Sequence, residues 1–381
     1  MASVPTPTRS TTRRSTAKGR PARVTLVDVA REAGVSRTTV SDVLNRGDAA
    51  AGLYADETRQ RVARAVQSLG YAPLAKAQSL ARGRSNLIGL VLLCDFSNPY
   101  FARFANAVEL EVARRGMRLQ LAVRDSSHDA SPQQSTRRDA ELIARMVADD
   151  VEGLFVGPVY EQLDLSTHVP LTGGRLPTVL FGGSVESGVE FDTVAVDRDG
   201  SAALAIDHLQ GLGHERIGFL CAPPSRTEPT RDDHFAAIEL LRQRGVFAGT
   251  QWIAWQPDTG SLDAYAEATM TFCDQWLASE PDDRPTAVLC LNDAAAMAAL
   301  GVFHRRGIRV PDDLSVVGFD DLPEAPHLVP ALTSVDSHVD RQVAAMVERL
   351  LARIDNPDTK PGHVAITPTL RPRASTAAPP R

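Results

Sequence analysis

Cysteine is scarce in this 381-residue chain, and its four copies follow no ligand-like spacing. Cys94, Cys221, Cys273 and Cys290 are scattered, and no two of them form a C-x-x-C pair. The spacing therefore argues against a structural zinc site or a disulfide framework, and it predicts buried thiols in a reducing cytoplasm. We expect no metal ion and no cofactor.

Long hydrophobic runs are also missing. The longest is LIGLVLLC, at 87–94, which is far short of the roughly 20 apolar residues that a membrane helix requires. The N-terminal segment MASVPTPTRSTTRRSTAKGR carries basic residues without an apolar core, so it does not resemble a secretory signal. We therefore expect a cytoplasmic protein with no membrane partner.

The common catalytic signatures do not occur. There is no G-x-S-x-G elbow, no phosphate-binding P-loop and no H-E-x-x-H zinc motif. His208 and His214 flank a predicted helix end, where structural roles are a better interpretation than catalysis or metal binding. We predict that the protein is not an enzyme, and we assign no catalytic residue.

Acidic residues are absent from residues 1–23, which are rich in Ser, Thr, Pro and Arg and are predicted to form a disordered basic tail. Residues 374–381 are predicted to be a second disordered tail. Residues 1–84 hold 15 Lys+Arg against 6 Asp+Glu, a net charge of +9, and the remainder holds 26 against 41, a net charge of −15. A basic head on an acidic body indicates an anionic polymer as the partner of the head.

Three short helices are predicted in the first domain, residues 24–71: about 26–33, 36–45 and 56–70. The first has Thr25 as its N-cap and Asp28 in its first turn, where the helix dipole favours an acid. Gly34 follows it and can adopt the positive φ of a tight turn. This succession is typical of a helix-turn-helix, in which the second helix lies in the major groove of DNA.

The second predicted helix has an apolar side and a polar side. Ser36 caps it, and Val40, Val43 and Leu44 lie on the side that can pack against the first helix. The outward face is formed by Arg37, Thr38, Ser41, Asp42 and Asn45.

Beyond residue 86 the pattern changes to apolar runs that alternate with amphipathic stretches. LIGLVLL, LQLAV, GLFVGPV, TVLFGG, RIGFLCAP, AVLCL and LSVVGFD each have the length of one buried strand, and segments such as RRDAELIARMVADD predict helices between them. This alternation predicts an α/β body with parallel sheets. About 290 residues are many for one sheet, so we expect two lobes with a cleft between them.

The segment VTLVDVAREAGVSRTTVSDVLN resembles the head of the lactose-repressor (LacI-type) family of bacterial transcription regulators nearly residue for residue. The resemblance continues through TRQRVARAVQSLGYAP, AKAQSLARGRSNLIGLVL, SNPYF, HLQGLGHERIGFL, LNDAAAMAAL and LSVVGFDD to PALTSVD, so it covers about residues 24–373. It implies a small all-α helix-turn-helix head plus an α/β two-lobed, periplasmic-binding-protein-like body. It also implies a repressor whose affinity for a double-stranded DNA operator is controlled by a small-molecule effector, a sugar or related metabolite.

The same resemblance implies a homodimer that reads a pseudo-palindromic operator. The residues of the head that it places at the DNA are Thr25, Ser36, Arg37, Thr38, Thr39, Ser41, Asp42 and Asn45. In the hinge and linker, residues 72–86, it implies DNA contacts by Ala77, Leu80 and Arg82, with Leu80 inserted as a wedge that kinks the minor groove. Without the resemblance, Leu80 reads as ordinary linker packing. We expect a dimer rather than a tetramer, because the C-terminal segment has no leucine heptads.

Three features of the head and hinge depart from the family pattern. Leu74 replaces the usual Asn after the hinge proline, and the loop at 46–57 is several residues longer than usual; we expect that loop to bulge into solvent. Asp42 stands where family members commonly carry a basic residue. Two interpretations of Asp42 remain open: it pairs with Arg46 on the same helix face, or it accepts a hydrogen bond from a cytosine amino group.

For the body, residues 87–373, the resemblance implies an effector in the cleft at the carboxyl ends of the strands. The ligand-binding residues that it implies are Tyr100, Phe101, Arg231, Asn292 and Asp320. Arg231 could instead be an exposed salt-bridge partner, and Asp320 could cap the next turn. Thr259 and Ser337 replace residues that several members use, so the pattern does not name the effector.

The two lobes are predicted at roughly 87–193 with 337–358, and 194–335 with 361–373. The alternative function is a solute-binding protein without a regulatory role, which the basic helical head argues against. Specific DNA binding that weakens steeply with salt would distinguish the regulator from both the solute-binding protein and an enzyme.

Overall fold

The structure, a computed structural model, describes most of the chain in two units, residues 1–85 and 86–381. The described residues are 24–46, 52–71, 84–124, 132–158, 176–182, 191–222, 233–255 and 261–380. The predicted N-terminal tail, the hinge residues Ala77, Leu80 and Arg82, and the cleft residue Arg231 lie outside the described residues.

The head consists of three helices, as predicted: α1 (Leu26–Ala33), α2 (Arg37–Arg46) and α3 (Asp56–Leu69). Apolar side chains from all three form one small core. Val29 of α1, Val40 of α2 and Val62 of α3 are fully buried in it. The packing of α2 against α1 that the apolar spacing predicted is therefore confirmed.

Local hydrogen bonds fix the first helix and the turn after it. The Thr25 hydroxyl accepts the Asp28 amide at 3.4 Å, and the Asp28 carboxylate in return accepts the Thr25 amide at 2.9 Å. This reciprocal capping box lowers the pKa of Asp28, chiefly through the side-chain hydrogen bond from Thr25. Gly34 ends α1 in the left-handed conformation, with φ 62°, which glycine adopts without steric cost. The predicted cap and turn are both confirmed.

The body alternates strands and helices. Its strands are β1 (Leu87–Leu92), β2 (Arg118–Val123), β3 (Gly153–Gly157), β4 (Thr178–Phe181), β5 (Asp192–Val196), β6 (Ile217–Ala222), β7 (Ile253–Trp255), β8 (Ala287–Cys290), β9 (Ser315–Phe319), β10 (Thr333–Asp336), β11 (His363–Ile366) and β12 (Thr369–Arg371). Its helices are α4 (Pro99–Arg114), α5 (Pro132–Ala148), α6 (Arg198–Gly211), α7 (Asp233–Gln243), α8 (Leu262–Ala278), α9 (Asp293–Arg305) and α10 (Val339–Asp355). No helix among the described residues is long and apolar enough to span a bilayer.

These strands form two six-stranded sheets, one in each lobe. The first has the order β11-β5-β4-β3-β1-β2 and is parallel throughout; the second has the order β12-β10-β9-β8-β6-β7 and is parallel except for its edge strand β12. Helices cover both faces of each sheet, so the central strands are buried on both sides. The two-lobed α/β body with parallel sheets is confirmed.

Strand pairing moves the lobe boundaries away from the predicted ones at 194 and 361. β5, at Asp192–Val196, lies wholly in the first sheet, and β11, at His363–Ile366, pairs with it in parallel. The chain then crosses to the second sheet within two residues, before β12. β11 has two exposed residues and only Ile366 buried, so it lacks the continuous apolar run that identified β1 to β4, β6, β8 and β9. The strands β5, β7, β10 and β12 were not predicted either.

The C-terminal segment is ordered as far as residue 380, and the predicted tail over 374–381 is wrong for the part that the structure describes. Ser375 is fully buried: its hydroxyl donates to the Val316 carbonyl at 2.6 Å and accepts the Thr333 amide at 2.8 Å. The Ala377 carbonyl lies 2.8 Å from Nε2 of His214. Pro-rich, small-residue composition predicted disorder, but small side chains are what allow this segment to lie close against the second sheet.

We expect Ser375→Ala to destabilise the second lobe by about 1–3 kcal/mol, because it leaves the buried Thr333 amide without its hydroxyl acceptor. All three tryptophans belong to this lobe, so urea unfolding followed by tryptophan fluorescence measures the change. Ser97→Ala, at an exposed serine, is the control. Equal unfolding midpoints for the two variants would mean that the hydrogen bonds of the Ser375 hydroxyl contribute nothing to stability.

Candidate functional site

The start of α2 presents polar side chains to solvent. The Ser36 hydroxyl accepts the Thr39 amide at 3.0 Å and lies 2.9 Å from the Thr39 hydroxyl, so both residues shape the first turn. Arg37 and Thr38 follow Ser36 and are exposed. In a helix-turn-helix this end of the second helix meets the base edges, and it is the part of the head where an arginine fork and hydroxyl groups can bond to DNA.

Asp42, one turn further along α2, is held by a residue that the sequence pattern did not single out. Its Oδ2 accepts a 2.7 Å hydrogen bond from the Tyr54 hydroxyl, and both residues are half-buried. The end of the long loop therefore returns to α2 and does not simply bulge into solvent; residues 47–51 of the loop lie outside the described part. The predicted partner Arg46 has a side chain that also lies outside the description.

Asn45 lies on the same polar face of α2. Its amide donates to the Ser41 hydroxyl at 3.1 Å, so these two predicted DNA-binding residues contact each other along the helix. Thr25, by contrast, uses its hydroxyl in the capping box of α1.

In the body, two predicted residues follow neighbouring strands of the second sheet. Asn292 comes after β8 and Asp320 directly after β9, at the carboxyl edge where open α/β sheets bind ligands. The side-chain Oδ1 of Asn292 caps α9 by accepting the Ala295 amide at 2.8 Å, and the side-chain Nδ2 donates to the Tyr265 hydroxyl at 3.3 Å. Asn292 is thus a buried structural cap as well as a candidate ligand contact.

The turn after β9 has a constrained backbone. Asp320 and Asp321 both have positive φ, 105° and 46°, a conformation that costs a non-glycine residue about 1–3 kcal/mol and is concentrated at functional sites. Three hydrogen bonds hold the turn: the Asp320 amide donates to the Val335 carbonyl at 2.9 Å, the Asp321 amide to the Ser334 hydroxyl at 3.0 Å, and the Leu322 amide to the Asp293 carboxylate at 2.8 Å.

Asp293 lies beneath this turn and is fully buried. Its second oxygen accepts a 2.6 Å hydrogen bond from the Ser334 hydroxyl. A Cβ atom at Gly318 would collide with that oxygen, so glycine there is what makes room for the carboxylate. Burial raises the pKa of Asp293 to about 7, although the bonds from Ser334 and Leu322 oppose the shift. The sequence analysis did not identify Asp293 as part of the site, because an acidic residue at the start of a helix is ordinarily explained by its favourable interaction with the helix dipole.

Asp320 and Asp321 have different roles. The Asp321 carboxylate accepts a 2.5 Å hydrogen bond from Arg373, so it is the ion-paired residue of the two. Burial, and then the nearby Asp293, raise the pKa of Asp320 well above its ordinary value, while Arg198 and Arg103 oppose the shift. A half-buried carboxyl group with two arginines near it is an acceptor suited to hydroxyl or amine donors.

Residues of the first lobe face this turn. Arg103 on α4 donates to the Asp321 carbonyl at 2.9 Å, a direct contact between the lobes. Tyr100 contacts Gln342 through its hydroxyl at 3.2 Å, and its ring packs edge-on against Phe101 with centroids 5.2 Å apart. Burial raises the pKa of Tyr100 to about 12, and the Asp320 charge adds to the shift. Tyr100 and Asp320, predicted to share a site, therefore lie within electrostatic reach of each other.

A helix-turn-helix head and a two-lobed body with polar groups at its strand ends define the class: a DNA-binding protein that carries a ligand sensor. Residues 25–73 match the family described as "Bacterial regulatory proteins, lacI family", and residues 206–376 match the "Periplasmic binding protein-like domain". The "HTH-type transcriptional repressor PurR" of Photobacterium profundum is 30% identical over 330 residues, which cover 87% of this chain and 92% of that relative.

Solved structures agree with this classification. The "transcriptional regulator CelR-cellobiose complex" is 26% identical with a TM-score of 0.62, and the Lac repressor dimer bound to operator and the anti-inducer ONPF is 24% identical with a TM-score of 0.76; each match covers 93% of this chain and 100% of the other. The chain belongs to the lacI family of bacterial regulatory proteins. It is a ligand-controlled, DNA-binding transcription regulator and not an enzyme.

Proposed function

We propose that this regulator is a repressor whose operator affinity changes when a neutral, polyhydroxylated ligand enters the cleft of the body. The observation that carries the proposal is the turn at Asp320, with its positive φ and half-buried carboxyl group, opposite Tyr100 and Arg103 of the other lobe. A ligand that replaces the contact between Arg103 and Asp321 changes how the two lobes are held together. Such a change is what a regulator can transmit to its DNA-binding head.

The charges around the turn support a neutral ligand. Asp320 offers acceptor oxygens, while the positive charges of Arg198 and Arg103 oppose the rise in its pKa. An acceptor beside donors brackets a pair of vicinal hydroxyl groups, and the burial that raises the pKa of both Asp320 and Asp293 disfavours charge in this part of the body. The CelR relative was solved with cellobiose, which is such a ligand. We place Tyr100, Phe101, Arg231, Asn292 and Asp320 in this site.

For the head, we propose that three residues of α2 contact base edges: Arg37, Thr38 and Ser41. Three others position α2, namely Ser36, Thr39 and Asn45, and Thr25 lies close to the DNA backbone. The exposure of Arg37 and Thr38 supports this assignment. The protein would then act on DNA in the cytoplasm. A homodimer would present two such helices to the two half-sites of an operator.

The test is binding of the full-length protein to a pool of genomic fragments, followed by titration of the enriched site at several salt concentrations. We expect specific binding whose logarithmic affinity falls linearly with the logarithm of salt, and release or strengthening by a member of a panel of neutral sugars. A solute-binding protein without a regulatory role would bind the sugar and enrich no DNA site, and that result would overturn the proposal.

The hinge wedge gives a separate prediction. Leu80→Ala should weaken binding to the enriched site by at least about tenfold and binding to random DNA far less, because an apolar wedge acts only on a duplex that kinks correctly. Gel-shift titrations on both DNAs measure the ratio, with Leu74→Ala as the control in the same segment. Equal losses on the two DNAs would leave Leu80 a linker residue.

A further inference from the structure

The loop before α3 brings a phenolic hydroxyl to the DNA-facing helix. Tyr54 donates to Oδ2 of Asp42 across twelve positions of sequence, at 2.7 Å. Asp42 lies one turn after the exposed Thr38 and on the same face, since residues four apart are neighbours on a helix. The contact therefore depends on how the loop folds back, and it fixes a carboxylate among the residues that face DNA.

We propose that Tyr54 is a positioning residue, which orients the Asp42 carboxylate so that Asp42 accepts a hydrogen bond from the N4 amino group of a cytosine in each operator half-site. This inference rests on the proposed function, because it requires α2 to lie in the major groove. It goes further by naming the base and the residue that makes its recognition possible.

The chemistry favours cytosine over the other bases. A carboxylate only accepts hydrogen bonds, and its roughly four lone-pair sites allow it to accept from a base as well as from Tyr54. The N4 donor of cytosine lies between the O6 acceptor of the paired guanine and its own C5–H, whereas the N6 donor of adenine lies between two acceptors, its own N7 and the O4 of thymine. Guanine offers the acceptors N7 and O6 alone, so Asp42 repels it. The residue thus rejects operators that a basic side chain at this position prefers.

Orientation by Tyr54 also addresses the cost of placing a charge at this surface. An unanchored carboxylate near phosphates is repelled and must lose rotamer freedom when it binds, which lowers affinity by about two- to tenfold per side chain at an interface. The hydrogen bond from Tyr54 is already made in the free head, so the carboxylate is oriented before DNA arrives. Asp42 would then discriminate between bases without a large loss of affinity.

The experiment is selection from a randomised duplex pool with the full-length protein, comparing wild type, Asp42→Asn, Tyr54→Phe and the double variant. Asp42→Asn should reduce the preference for cytosine at one position of each half-site by at least about fivefold. Tyr54→Phe should reduce the same preference at the same position by about two- to fivefold, and it should add nothing in the Asp42→Asn background. Tyr71→Phe is the matched control, since it removes a hydroxyl elsewhere in the head, and its profile should equal that of wild type.

Other outcomes overturn the inference. If Tyr54→Phe weakens binding to all sequences equally, and does so in the Asp42→Asn background as well, Tyr54 contacts the DNA backbone itself. If Asp42→Asn changes the preference and Tyr54→Phe does not, Asp42 needs no positioning residue. If neither changes it, the pair is structural. Circular dichroism verifies that each variant keeps its helices. A wild type that enriches no sequence would instead overturn the proposed function, which separates the two failures.

Discussion

Asp320→Ala should abolish the effect of the ligand on operator binding while the affinity for operator without ligand stays within about twofold of wild type. The physical reason is that the half-buried Asp320 accepts a hydrogen bond from a sugar hydroxyl, and leaving that hydroxyl without its partner costs about 1–3 kcal/mol, or roughly 5- to 150-fold in ligand affinity. The ligand then no longer binds at working concentrations. Fluorescence anisotropy of labelled operator, with and without the sugar identified in the screen, measures both quantities.

Two further variants keep this prediction decisive. Asp358→Ala removes an exposed acid of the body and should respond like wild type. Asp320→Asn keeps the volume and one acceptor oxygen, so it serves if the alanine variant does not fold, and it should respond only at higher sugar concentration. A normal response by Asp320→Ala would remove Asp320 from the ligand site, while loss of operator binding without ligand would make it a structural residue of the body.

The parts of the fold that were predictable from the sequence depend on near neighbours in the chain. Thr25, Asp28 and Gly34 form their capping box and left-handed turn within a few residues, so local residue types suffice to predict them. The buried strands were predictable for a similar reason: a continuous apolar run is sufficient evidence for a strand with both faces covered. β5, β7, β10, β11 and β12 are short or carry polar residues among the apolar ones, and they were missed.

The parts that were not predictable depend on contacts between distant residues. Tyr54 and Asp42 are joined by an unusually long loop, and Asp293 takes its role from Ser334 and Leu322, which belong to a later strand and turn. The C-terminal segment has the composition of a disordered tail, yet it is held by Val316 and Thr333. A resemblance to a family marks Asn292 and Asp320 as ligand residues, but it does not reveal the buried acid that shapes their surroundings.

Asp293→Asn should change how the stability of the body depends on pH. The pKa of Asp293 is raised from 3.8 to about 7 in the folded protein, so the folded state holds the proton more tightly than the unfolded chain. Below about pH 4 both states are protonated and the shift has no effect. As the pH rises from about 4 to 7, the unfolded chain ionises first, and wild type loses stability on the order of 4 kcal/mol through this group; above pH 7 the loss is complete. Asparagine cannot titrate, so the variant lacks this loss.

The variant also has one oxygen fewer, and either the Leu322 amide or the Ser334 hydroxyl then lacks its acceptor, at a cost of about 1–3 kcal/mol. We therefore expect Asp293→Asn to be less stable than wild type at pH 4.5 (roughly the lower end of the window) and equal or more stable at pH 8. Urea unfolding followed by tryptophan fluorescence gives the difference, with Asp358→Asn as the control whose difference from wild type should not vary with pH. Asp320 titrates in the same direction, so only the difference between variants isolates Asp293. Parallel curves for wild type and Asp293→Asn would mean that Asp293 does not titrate in this range. Asp293 also fixes the shape of the Asp320 turn through its bonds with Leu322 and Ser334. The variant should therefore bind the sugar more weakly even at pH 8.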